Sequence, residues 1–283
     1  MTPLPVTVYS PDSSLHSPLL MLREMFRDLL ASRELAWRLA VRDINSQYRQ
    51  SFFGILWAFV GPVTSTATWI FLSGTGIINV AKTDLPYPIY VLTGTMIWSI
   101  FTEALNSPLG QTNGARGMLA KLNFPREAVI ISGIYQILFN TAIKIALLLV
   151  ALLVVGINPG WGLLLFPLGI FSIILVGTAI GLLITPVGML YTDVGRGVGM
   201  IMQFLMYVTP VIFPIPKSGW ALPLFKLNPL TPLIATTRDW LTGFTPVYLG
   251  SFLIVNAVAL LVLLIGWLAY RLAMPIIIER MSS

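Results

Sequence analysis

Two apolar runs dominate this sequence, residues 128–157 and 160–191, and together they carry a single charged side chain, Lys144. Twenty helical residues rise about 30 Å, the thickness of a bilayer's hydrocarbon core. A water-soluble domain rarely hides runs of this length one after the other. Only 10% of the 283 residues are charged and 56% are hydrophobic, whereas soluble proteins carry roughly 25% charge. The chain therefore reads as an all-α integral membrane protein.

Six spans are expected, at about 52–80, 86–107, 128–157, 160–191, 199–213 and 247–270. The third and fourth meet at an Asn158-Pro159-Gly160 turn. The fifth is short unless it extends back to Val194. Residues 1–18 lack the basic start and apolar stretch of a signal peptide and read as a flexible N-terminal tail. Residues 19–50 read as a cytoplasmic amphipathic interfacial helix, and 51–283 as the transmembrane domain. On that helix Trp37, Val41, Ile44 and Tyr48 recur at steps of four, three and four, so they share one face. A basic helix with an embedded Trp suits a membrane surface, and the same pattern suits packing on a cytosolic partner.

With the N-terminus inside, twelve Lys and Arg residues fall on the cytoplasmic side and four (Lys82, Lys217, Lys226 and Arg238) on the other. That bias predicts a multi-pass protein of the bacterial inner membrane with both termini cytoplasmic. The net charge of +6 is then a topology signal and a source of contacts with membrane lipids, not a nucleic-acid footprint. The outer connection, 214–246, is rich in Trp, Leu, Phe and Ile. Re-entrant helices between the fifth and sixth spans explain that better than a solvated loop.

Catalytic patterns are absent from the sequence. No Gly-Lys pair exists, so there is no phosphate-binding loop, and neither H-E-x-x-H nor G-x-S-x-G occurs. There is no cysteine, and the one histidine, His16, lies in the Pro/Ser-rich tail, so no metal site is expected. Gly195, Gly197 and Gly199 follow no strand and read as close helix packing or a flexible turn. Two ionisable residues sit within spans. Counted from the cytoplasmic ends of their spans, Glu103 lies about one turn deep and Lys144 roughly 24 Å deep, which argues against a direct ion pair. Lys144 then either snorkels outward or contacts substrate. Trp57, Phe59, Trp69 and Phe71 in the first span, with Phe204, Tyr207 and Phe213 near the fifth, suit a pathway lined by rings that stack on sugars. Interfacial belts and helix packing are the plainer explanation of the same residues.

Four segments resemble the permease subunits of polysaccharide-exporting ABC transporters, the family of O-antigen, capsule and teichoic-acid exporters. Tyr48-Arg49-Gln50-Ser51-Phe52-Phe53-Gly54-Ile55-Leu56-Trp57, followed by Pro62, resembles the entry to their first helix. Ala120-Lys121-Leu122-Asn123-Phe124-Pro125-Arg126-Glu127 is similar to their cytoplasmic K-x-x-F-P segment. Tyr207-Val208-Thr209-Pro210-Val211-Ile212-Phe213-Pro214 is similar to S-P-V-I-x-P, with Thr in place of Ser. Leu227-Asn228-Pro229-Leu230-Thr231-Pro232 with Arg238 matches a later element. Thr192-Asp193 departs from the Arg-Asp of many relatives, so no role for that arginine carries over.

The resemblance implies half of a channel: a homodimer docked to two ATP-binding-cassette subunits, exporting a lipid-linked polysaccharide of the O-antigen kind. ATP and magnesium belong to the partner, and this chain binds no cofactor and is not itself an enzyme. It assigns the substrate pathway to the first and fifth helices, and ATPase coupling to Arg116, Lys121, Phe124, Pro125, Arg126 and Glu127 with the N-terminal helix. An outer gate falls on Pro210, Pro214, Trp220, Asn228, Pro229 and Arg238. Export of a drug or simple lipid fits the same residues. An ion-coupled transporter would need more buried acids and an inverted repeat. A membrane enzyme acting on lipid-linked sugars would need an Asp, Glu or His cluster, and none is visible.

Overall fold

The computed structural model describes residues 18–49, 54–78, 80–122 and 124–282, with the side chains of 18–22, 55, 58, 59, 120 and 280–282 left out. The tail before Pro18, residues 50–53 and 123 of the resembling motifs, and the Phe59 side chain therefore lie outside the described residues.

All regular structure among the described residues is helical. In chain order the helices are α1 (Pro18–Ala31), α2 (Arg33–Arg49), α3 (Trp57–Gly74), α4 (Tyr87–Gly114), α5 (Arg116–Lys121) and α6 (Glu127–Val155). They continue as α7 (Gly162–Leu190), α8 (Asp193–Tyr207), α9 (Leu222–Leu227), α10 (Leu230–Thr242) and α11 (Leu249–Ser282). Three of them, α6, α7 and α11, are long and apolar enough to cross a membrane. The remaining expected spans correspond to α3, α4 and α8, with shifted ends. Helix α4 continues to Gly114 rather than stopping near residue 107, because Gln111, Thr112 and Asn113 end an apolar window without ending backbone hydrogen bonding. The fifth helix starts at Asp193 and gives way at Val208. Helix α11 runs well past Tyr270.

Helix α7 is the axis of the bundle, packed on α4, α10 and α11. Of its most apolar stretch, 56% is buried inside the protein, against 17% for α11, whose remaining surface is left for lipid. The close approach of α7 to α4 depends on missing side chains. A Cβ at Gly181 would overlap the carbonyl oxygen of Leu105, and one at Gly177 would lie 2.7 Å from the Ala104 Cβ. Small residues let backbones meet where lipid offers no hydrophobic drive between helices. Phe101, Ile97, Ile173, Phe166, Leu233 and Ile234 fill the core around this contact. Polar side chains here turn back on their own helix: the Thr185 hydroxyl donates to Gly181 O at 2.7 Å and Thr112 to Pro108 O at 2.7 Å.

The N-terminal region is two helices, not one. The break falls at Ser32, whose hydroxyl donates to Asp28 O at 2.6 Å. Helix α2 lies on α6 through Ala36, Leu39 and Ala40. Trp37 and Val41 from the predicted apolar face remain 59% and 37% exposed. Alanine allows the closer approach, so the small side chains are fully buried, while Trp37 meets Tyr135 of α6 edge-on at 5.7 Å from the rim of the contact.

Gly181→Val should remove the α4–α7 contact, a cost of about 1–3 kcal/mol or more for overpacking. Gly61, where an added Cβ meets nothing within 4 Å, is the matched control. Yield of monodisperse protein extracted from membranes should collapse for Gly181→Val and hold for Gly61→Ala.

Candidate translocation path and its cytoplasmic and outer contacts

Helices α3 and α8 are the least buried long elements. No residue of α8 is buried, and Thr66 is the one buried residue among the described side chains of α3. Thr66 hydrogen-bonds Thr95 of α4 at 3.0 Å, which fixes the rotation of α3. The far face then carries Trp57 (56% exposed) and Phe71 (65%), and Val63 and Ile70, flanking Thr66, are 41% and 37% exposed. On α8 the exposed face is Met200, Ile201, Phe204 (76%) and Tyr207 (41%). Three of the predicted pathway residues come together. Trp69 meets Tyr207 edge-on, with centroids 6.0 Å apart, and Phe213 at 5.6 Å. Phe71 and Phe204 stand outside that cluster, 65% and 76% exposed.

Glu103 and Lys144 form an ion pair, contrary to the depth argument from the sequence: Lys144 Nζ lies 2.7 Å from Glu103 Oε2. The error lay in measuring Glu103 from the end of the apolar window. Measured from Gly114, the true end of α4, it is about 16 Å deep, and two long side chains span the remainder. Lys144 is 4% exposed, so it neither snorkels to the outer surface nor faces an open path. Asn140, one turn before Lys144 on α6, donates to the other oxygen of Glu103. Tyr48, at the end of α2, donates to Asn140 Oδ1 at 2.7 Å. Burial first, and the Glu103 charge second, push the Tyr48 phenol above its ordinary pKa, which keeps it a donor. The four side chains tie α2, α6 and α4 together. The sequence marks Tyr48 only as part of an apolar face and of the first resembling segment, and Asn140 not at all, although Asn140 and Lys144 share a helix face at i, i+4.

At the C-terminal end of α4, α5 follows directly. Arg116 turns inward and donates to Met189 O at 2.9 Å, satisfying a carbonyl at the end of α7. Glu127 is also turned inward: it accepts from Arg271 Nη1 at 3.0 Å and is 6% exposed. Arg271 reaches Asp28 at 2.8 Å as well, and Phe26 stacks edge-on against Trp267 at 5.5 Å. Helix α1 is thereby joined to α11 and to the start of α6. Phe124 packs on the lower core of Tyr270, Met274 and Ile277. Pro125 and Arg126 are half-buried, and Lys121 is exposed beside Leu122. Helix α2 touches this segment where Arg42 Nη1 lies 3.7 Å from Met118 Sδ.

On the far side, α10 is nearly engulfed, with eleven of its 13 residues buried. The apolar connection is thus part of the core. Asn228 pins its start: the side-chain amide donates to Val208 O at 3.0 Å and Thr209 Oγ1 at 2.7 Å, and its oxygen accepts from Leu230 N at 2.9 Å. Arg238 lies 3.8 Å over the Tyr90 ring, donates to Thr93 Oγ1 at 3.2 Å and to Val211 O at 3.3 Å. Tyr90 in turn donates to Pro210 O and Phe213 O. Gly94 leaves room for this junction, since a Cβ there would lie 2.5 Å from Arg238 Nη2. Pro214 lines the adjoining cavity and Pro229 opens α10. Trp220 stays 85% exposed, away from the cluster. Among the described residues no group of three His, Cys, Asp or Glu side chains is placed to hold a metal.

The sequence profile described as ABC-2 type transporter matches residues 34–241. The O-antigen export system permease protein RfbA of Myxococcus xanthus is 24% identical over 217 residues, covering 75% of this chain and 82% of that protein. A protein of the same name from Klebsiella pneumoniae is 23% identical over 209 residues, 70% of this chain and 76% of the relative. The polysialic acid transport protein KpsM of Escherichia coli is 24% identical over 243 residues, 82% of this chain and 91% of its own.

Lys144→Met should leave the Glu103 carboxylate without its cation and destabilise the protein by about 3 kcal/mol. The pair Glu103→Gln with Lys144→Met should recover most of that loss. Thermal aggregation midpoints of the purified variants check both outcomes.

Proposed function

The chain belongs to the ABC-2 type transporter family, and on that premise we propose that it is the membrane-spanning half of an ATP-driven exporter of a lipid-linked polysaccharide of the O-antigen kind. Two copies form the channel and two separate ATPase subunits supply energy, so ATP and magnesium are bound by the partner. The printed names of the curated relatives support the cargo class. The carrying observation is the uncovered aromatic and apolar surface of α3 and α8. A protomer that leaves one side of each of those two helices exposed has a face for a second copy or for cargo.

In this reading six helices (α3, α4, α6, α7, α8 and α11) cross the bacterial inner membrane with both chain ends in the cytoplasm. Helices α9 and α10 re-enter from the outer side and gate the exit. Lys121 and Leu122, exposed on the short inner segment, meet the ATPase, while Arg116 and Glu127 transmit the contact into α7 and α11. Phe124, Pro125 and Arg126 shape that segment. An ion-coupled mechanism gains no support from Glu103, since its charge is already matched by Lys144.

Trp57→Ala and Tyr207→Ala should each lower surface polysaccharide about three- to tenfold, as loss of one aromatic contact predicts, with membrane levels of the protein unchanged. Full export by both variants would contradict the assigned path. Purification from native membranes should bring down an ATP-binding polypeptide, and ion-driven uptake by the chain alone would refute the reading.

A further inference from the structure

A cavity of about 760 Å³ opens on the outer face, between the segment after α3, the turn after α8, and α10 with the loop that follows it. Small-molecule sites typically measure about 300–1,000 Å³. The charged side chains in its wall are Lys82, Asp84, Lys217, Arg238 and Asp239. Arg238 is spent on Tyr90, Thr93 and Val211. Among the described residues, Lys82, Asp84, Lys217 and Asp239 form no ion pair with one another. Two cations and two carboxylates thus face one space with hydrogen-bonding capacity left over. Phe244, 43% exposed, and Tyr248 line the same wall.

An adjoining cavity of about 310 Å³ shares Ala81, Lys82 and Thr83 with the first and is also lined by Tyr87. The Tyr87 hydroxyl is buried and has no hydrogen-bond partner among the described residues. Buried polar atoms ordinarily have a partner, so this hydroxyl is an unsatisfied donor behind the cavity wall.

The mixture of groups selects the ligand class. A metal ion needs converging carboxylates, and a small anion needs cations alone. A sugar presents vicinal hydroxyls that donate to carboxylates and accept from ammonium groups, together with an apolar C–H face that lies on an aromatic ring. The position fits as well. Tyr90 forms part of the wall and donates to the carbonyls of Pro210 and Phe213, and the Phe213 ring stacks on Trp69 of the assigned path.

We propose that this outer cavity is a saccharide subsite of each protomer, in which Asp239, Asp84 and Phe244 hold one or two sugar units of the chain emerging from the path. The proposal rests on the export reading for its biological setting, but its chemistry is carried by the cavity. Asp239 contributes a second property. Burial pushes its carboxyl up to about 6, against the nearby Arg238 charge and a hydrogen bond from Val247 N–H, with Asp84 pushing the same way as burial. Lys82, Lys217, Tyr90 and Tyr248 are the other titratable groups of the wall. Because the folded-state value lies above the unfolded one, the ionised carboxylate opposes folding. That penalty is complete above about pH 6 and vanishes below the unfolded value. Asp239→Asn should therefore be more heat-stable than the parent at pH 7.5 while binding sugar worse, the usual mark of a functional group held at the expense of stability.

The test is saturation-transfer NMR on the full chain in nanodiscs with a panel of disaccharides of neutral, amino and acidic sugars. At least one should bind. Asp239→Asn and Phe244→Ala should each weaken it about tenfold, the worth of a charged hydrogen bond or a stacking face. Lys226→Gln, outside the cavity wall, should not. Absence of binding by the parent protein overturns the proposal, as does binding that both cavity variants retain. Phe244 is exposed enough that its loss leaves folding intact, and the raised stability of Asp239→Asn separates lost binding from lost structure. If cells export polysaccharide through a chain that binds no disaccharide, the subsite fails and the export reading stands. If deletion of the chain leaves surface polysaccharide unchanged, the export reading fails independently.

Discussion

A polar group between apolar helices has no water to fall back on, so each one must find its partner in the protein. This requirement decides where the helices of this chain meet. Lys144 and Glu103 fix α6 against α4, and Asn140 and Tyr48 extend that tie to α2. Arg238 does the same near the start of α4, drawing α10, Tyr90 of α4 and the Val211 carbonyl into one junction. Arg271 does it at the opposite end of the bundle, between α1, α6 and α11. Between these three polar ties the contacts are made by close backbone approach, chiefly α7 against α4. Lys144, Arg238 and Arg271 each hold at least two elements in place.

What the ties leave free is as informative. Helices α3 and α8 have almost nothing buried, and their Trp, Phe, Tyr and Met side chains form an uncovered surface. The segment between α4 and α6 is tied to α2 through Met118 and, through Glu127, to Arg271 of α11. Movement of the short α5 segment would be felt by α2 through Met118 and by α7 through the Arg116–Met189 contact. A rigid core of α4, α7 and α10 with two loosely held helices beside it is an arrangement in which the loose helices can part without unfolding the rest.

Much of this was legible in the sequence, and for a physical reason. Helices α6, α7 and α11 carry unbroken apolar runs long enough to cross a membrane, whether buried in the bundle like α7 or largely uncovered like α11, so hydropathy gives them away. Helix α4 was half legible. Buried among other helices, it tolerates Glu103, Gln111 and Asn113, and its true end lay beyond the point where hydropathy falls. That displacement produced the mistaken depth for Glu103 and hid the ion pair. The contact of α2 with α6 was not legible, because periodicity marks large apolar residues, while Ala36 and Ala40 are the ones fully buried there. Among the candidate sites, Arg238 and Asn228 came from motif resemblance, and only the geometry explains them. Asp84, Asp239 and Phe244 carried no signal, since they are distant in sequence and meet only after folding.

The most direct measurement concerns α3 and α8 as the surface where two protomers enclose a path. The natural sequence contains no cysteine, so single cysteines report without background. Phe204→Cys and, on the lipid-facing side, Val258→Cys would be treated in native membranes with a short bismaleimide. A covalent dimer should form through position 204 but not 258, and polysaccharide export should stop only in the cross-linked sample. Cross-linking at neither position, or equal dimer formation at both with export intact, would contradict a path between these helices.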